Sequence, residues 1–233
     1  MTSLTAPLLA SIAALTSLTT APTANATCAS FFGIGNSVAC TSGRTGIAIA
    51  IGTGAAATAT GPFTIAAALG NQSDAHAGGD HLNLAVAVNG TSVATSGIFD
   101  LAVAVSPSST AHATAYATNG GFNRAISIGR NGATRASDGS FNTAIGIGPT
   151  SHAEAGFGSF DAAVAAGDNA TALAGHGSFN RAAALGSHTA ATAGDTGSHN
   201  SAVVVGHTST AVAGPGDHHH VRLVGNNATA HSP

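Results

Sequence analysis

Four stretches decide how this chain folds: GFNRAISIGRNG (121–132), GSFNTAIGIGPT (139–150), GSFDAAVAAGDN (158–169) and GSFNRAAALGSH (177–188). Phe122, Phe141, Phe160 and Phe179 recur every 19 residues. A unit this short cannot bury an apolar face by itself and must stack on its neighbours. The residue seven places after each Phe, usually Gly, serves as a second anchor. It extends the register to units opening at Thr45, Phe63, Leu82 and Phe99 on one side and at His199 and His218 on the other. The interval shortens to 17 residues between Leu82 and Phe99 and lengthens to 23 between Phe99 and Phe122. A solenoid absorbs such changes at its turns.

Within a unit, count the Phe as zero. Positions +4 and +6 carry branched aliphatics, as in Val86 and Val88, Ile126 and Ile128, or Ile145 and Ile147. Positions +3 and +5 are small, as in Ala85 and Ala87, Ala102 and Ala104, or Ala163 and Ala165. Residues two apart share one face of a strand. A second segment follows the Gly turn, with Ala at +12 and +14 on one face and variable, mostly polar residues at +11 and +13 on the other. Alanine favours helix, but Gly interrupts every seven to eight residues, and Val and Ile alternate with period two. The fold expected is all-β: a parallel β-solenoid of about ten coils of roughly 19 residues, with two short strands per coil.

Stacking at about 4.8 Å per coil brings equivalent residues into contact. Phe122, Phe141, Phe160 and Phe179 should form an aromatic ladder. Asn123, Asn142 and Asn180, each one residue on, should form a ladder of neighbouring amides. Only one face of the first strand can point into the coil. The +3 and +5 alanines, repeated over ten coils, are therefore expected to form an outer apolar surface. That surface is either an assembly interface, which small residues suit, or one that solvent or the N-terminal segment covers.

Composition narrows the class. Charged residues are 6% of the 233, the net charge is −3, and hydrophobic residues make up 44%. Disordered chains have the opposite balance. All six basic residues are scattered Arg, too few for a phosphate-neutralising stripe, so nucleic acid is not an expected partner. Residues 1–26 read as a signal peptide, with LLASIAALTSL as the apolar region and Ala24-Asn25-Ala26 before cleavage. The mature chain has no transmembrane segment in this reading. Cys28 and Cys40 are the only cysteines and are expected to pair in an exported protein. They staple an N-terminal cap over 27–44, ahead of the solenoid at 45–233.

The run GDNATALAGHGSFNRAAALGSHTAATAG (167–194) resembles the YadA-like head repeats of trimeric autotransporter adhesins. The resemblance implies a left-handed parallel β-roll in an extended, non-enzymatic surface protein, trimeric in that family, that binds host matrix or other surfaces. This chain differs in its longer repeat, its Phe-Asn corner, and the absence of stalk heptads and membrane-anchor strands.

Chemistry points the same way. His218, His219 and His220 are the only metal candidates, and alternation along a strand separates the middle one from its neighbours. The carboxylates mostly fall in different columns, and Asp100 and Asp161, which share one, lie three units apart. No catalytic residue and no cofactor are assigned. The variable outer positions, represented by Asp74, His76, His152, Glu154, Thr171 and Thr210, are the expected recognition surface. The function expected is a secreted or cell-surface adhesin-like protein, a possible homo-oligomer (a trimer by the resemblance), with a cell-surface or matrix ligand. The alternatives are an ice-binding β-solenoid and a polysaccharide-active β-helix enzyme.

Overall fold

The computed structural model describes residues 27–70, 73–88, 91–106 and 112–232. The proposed signal peptide lies outside them. The described residues contain strands and turns and no helix.

The chain opens with β1 (Cys28–Phe31), β2 (Ile34–Gly35) and β3 (Cys40–Ser42), followed by β4 (Ile47–Ile51) and β5 (Ala56–Ala59). From β4 onward strands alternate between two sheets as far as His220–Val224 and Thr229–Ser232. Each strand pairs in parallel with its equivalent one unit later. Thus Thr143–Ile147 pairs residue for residue with Ala162–Ala166, and His152–Gly156 with Thr171–Gly175. The long interval leaves this register intact, because Leu101 still pairs with Arg124 and Val105 with Ile128.

The first end is built differently. β1 runs antiparallel to β4, with Cys28 opposite Ala50 and Phe31 opposite Ile47, and β2 folds back on β1. The Cys28–Cys40 disulfide joins β1 to β3, and so ties the first sheet to the second. Both cysteines are buried.

The core is alanine. At +3 and +5, Ala66, Ala68, Ala85, Ala87, Ala163 and Ala165 are fully buried, and they face Ala75, Ala77, Ala172 and Ala174 of the second sheet. This reverses the expected sidedness of the first strand. Its branched aliphatics point to solvent, with Ile128 41% and Ile147 45% exposed. The reason is steric. The two sheets lie close enough for methyl groups of the second strand to meet methyl groups of the first, so a full rank of Ile or Val does not fit between them and small residues line both walls. In the last coils Val204 and Val221 replace core alanines, and Leu223 packs against them.

Turns stack as tightly as the strands do. A Cβ added at Gly139 would lie 1.5 Å from the carbonyl oxygen of Gly158, so the coils meet there main chain to main chain. At the same corner, two residues further on, the Phe positions adopt a left-handed backbone, with φ of 61° at Phe122, Phe141 and Phe160. Such a conformation costs a non-glycine residue roughly 1–2 kcal/mol.

Candidate functional site

Three of the four long surfaces carry columns that repeat from coil to coil: the Phe corner, the Gly corner and the aliphatic outer face of the first sheet. The Phe column is a continuous stack: Phe99, Phe122, Phe141, Phe160 and Phe179 lie 4.8–4.9 Å apart, and His199 and His218 extend the series. The rings are nearly parallel, so each face covers the next and only edges meet solvent. That presentation does not suit sugar stacking, which needs open faces. Beside it runs a shallow groove of about 590 Å³ lined by Thr143, Phe160, Phe179, Arg181, Ser201 and His220.

The Asn column is buried beneath the Phe stack and works differently from a ladder of amides. Each Oδ1 accepts the backbone N–H of the equivalent residue one coil on, as from Asn142 to Asn123 (3.2 Å) and from Asn200 to Asn180 (3.0 Å). Each Nδ2 donates sideways to carbonyls of the turns, Asn142 to Ser137 and Gly158, and Asn180 to Gly175 and Gly197. The side chain thus satisfies corner groups that no strand pairing reaches.

Asp100 and Asp161 occupy two rungs of this column. Their Oδ1 atoms accept from Asn123 and Asn180 as the asparagines do. Their Oδ2 atoms are buried and have no hydrogen-bond partner, at the place where an asparagine carries its donor. Burial pushes both carboxyls up to about 6, against the pull of the accepted N–H bonds. A protonated acid supplies the missing donor. The sequence places the two acids among the asparagines of one structural column, too far apart for a catalytic pair, but gives no sign of the unpartnered oxygen.

The fourth surface, the outer face of the second sheet, holds the variable side chains. His152 and Glu154 are brought together, with Nε2 3.8 Å from Oε2. Arg135, from the preceding coil, reaches Glu154 at 3.3 Å and Asp138 at 2.7 Å. Asn119, one coil earlier, donates to Asp138 at 3.0 Å. Arg135 also lies over the Phe157 ring at 5.5 Å, and Phe157 stacks on His176 at 4.9 Å. His152 first and then Arg135 hold the Glu154 carboxyl below its usual range, against partial burial. Glu154, Phe157, Leu173, His176 and Asp195 border a depression of about 180 Å³.

Sequence reading named His152 and Glu154 but missed Arg135, Asp138, Phe157 and His176. Asp138, Phe157 and His176 form a column at +16 whose residue types change from coil to coil, so period analysis passed over it. Thr171 pairs with His152 on the next strand, Thr210 lies two strands further, and Asp74 and His76 are four strands away on the other side. Those four are on the same face but outside the cluster.

The His triplet diverges. His218 ends the aromatic stack, the His219 N–H caps the Asn column on Asn200 at 2.8 Å, and His220 begins an outward-facing strand. Among the described residues no three His, Cys, Asp or Glu side chains converge on a metal-sized space, and no helix is long and apolar enough to cross a membrane.

No family model, curated protein or solved structure matches the chain.

Proposed function

We propose that this is a secreted or cell-surface, non-enzymatic β-solenoid with a structural, adhesin-like role, and that it engages its ligand through the outer face of the second sheet. One observation carries the reading. Stacking fixes the Phe, Asn and Gly columns, whereas the second sheet's outer face gathers Arg135, Asp138, His152 and Glu154 from consecutive coils. Fixed charges on a rigid strand lattice give orientation-specific recognition without ordering cost on binding. The disulfide fits an oxidising compartment.

The same face argues against an ice-binding array, because Arg135, His152 and Glu154 stand among its threonines and break any flat rank. Matrix proteins and glycans displayed on an array test the proposal. Binding should fall roughly tenfold or more in an Arg135→Ala, Glu154→Ala double variant with an unchanged β-sheet spectrum. Undiminished binding in that variant would move the ligand elsewhere. Thermal hysteresis or polysaccharide cleavage by the wild type would replace this function with another.

A further inference from the structure

The outer face of the first sheet has no role in the reading above, and its chemistry is the reverse of the second sheet's. From Ile47 to Val224 its outward positions are Ala, Val, Ile or Leu in every coil, except Arg124, Thr143, Arg181, Ser201, His220 and Arg222. Not one acid stands on it. The exceptions lie along the border with the Phe stack or in the last coil, so the centre of the face is aliphatic as far as Val203, with Arg222 ending it. Ile65, Leu69, Ile128, Ile147 and Leu185 are each 36% or more exposed.

A monomer seldom leaves so long an apolar strip in water. Every coil repeats in strict register, so the strip runs unbroken from coil to coil, with short side chains such as Ala166 and Ala183 set among longer ones. An aliphatic sheet face with a polar border, with gaps at its alanines, suits a second copy of itself, because two such faces pack with their side chains interdigitated at about 10 Å. Ten coils at about 4.8 Å, by three columns about 6.8 Å apart, make a rectangle of roughly 650 Å² per copy. Two copies would then bury about 1,300 Å², inside the range of specific interfaces.

We infer that two copies of this chain associate through the outer faces of their first sheets, forming a four-sheet sandwich that leaves both second-sheet faces outward. The inference rests on the fold alone and stands or falls independently of the ligand proposed above. Arg124 and Arg181 sit on the border, where their guanidinium groups stay in water. The association belongs to the aliphatic face and not to the alanines, which are already enclosed.

Sedimentation of the purified protein over a range of concentrations is the test. The wild type should run at twice the chain mass, with a melting temperature that rises with concentration. An Ile126→Glu, Val164→Glu variant should be monomeric with an unchanged β-sheet spectrum, while Thr171→Glu on the opposite sheet stays dimeric. Should the glutamate variant fail to fold, Ile128→Thr with Ile147→Thr keeps strand preference and should weaken dimerisation roughly tenfold or more. A wild type that is monomeric at every concentration overturns the inference. So does a dimer untouched by these substitutions, or a trimer. A monomer captured by phosphatidylglycerol vesicles would overturn it too, and would assign the face to lipid.

Discussion

One side-chain position, the rung after each Phe, decides how the corners of this protein are satisfied. Asparagine is suited to it, since one oxygen accepts the next coil's N–H and one amide donates to two carbonyls. Aspartate has the shape but needs a proton. In the folded chain Asp100 and Asp161 titrate near 6, above their unfolded value, so the neutral acid is the stabilised form. Their contribution is complete below about pH 4 and is lost as pH rises through about 6. About two pH units at about 1.4 kcal/mol each gives roughly 3 kcal/mol per acid at most. Asp161→Asn should therefore raise the melting temperature at pH 7, leave it nearly unchanged at pH 4, and flatten the decline between. A variant less stable than wild type at pH 7 would show that the rung does not need a donor. Glu154 has the opposite sign. Its partners hold its carboxyl low, so its smaller, partly exposed contribution fades as pH falls.

The corner linking second strand to first is where local preference and stacking conflict. Phe160 holds a left-handed backbone and contacts Phe141 and Phe179 at 4.9 Å. Each aromatic contact is worth about 0.5–1.5 kcal/mol, comparable with the backbone cost. Phe160→Ala removes both contacts and keeps the cost, whereas Phe160→Gly removes both and relieves it. Chemical denaturation should therefore rank Gly as the milder change, by about 1 kcal/mol, against the usual order for these residues. If alanine is the milder change, the corner is not strained. Period and spacing revealed the Phe ladder, the strand pair and the alanine wall of the second strand, because each recurs at a fixed offset. They did not reveal the left-handed corner, since Phe gives no sign of positive φ as Gly or Asn would. The inward face of the first strand was misjudged for a related reason. Bulk was expected inside, although the alanines at +12 and +14 already limited what could stand opposite them. The Arg135 cluster was only half legible, because its members come from three coils and the residue types in their columns at +11, +13 and +16 change from coil to coil.

Across the whole molecule, ladders carry more of the structure than apolar volume does. The interior is lined mainly by methyl groups, while main-chain bonds run coil to coil through strands and corners alike. The apolar surface that water loses on folding is therefore small for a chain of this length, and the aliphatic columns stay outside it until a second copy covers them. Exposure of apolar area on unfolding is what raises the heat capacity, ordinarily by about 12–15 cal/mol/K per residue. Here the increment measured by calorimetry on the dissociated Ile126→Glu, Val164→Glu chain should fall below that range, and an ordinary value would contradict this account. A small increment gives a shallow stability curve, so an alanine-walled coil keeps its folding free energy nearly constant between cold and warm surroundings.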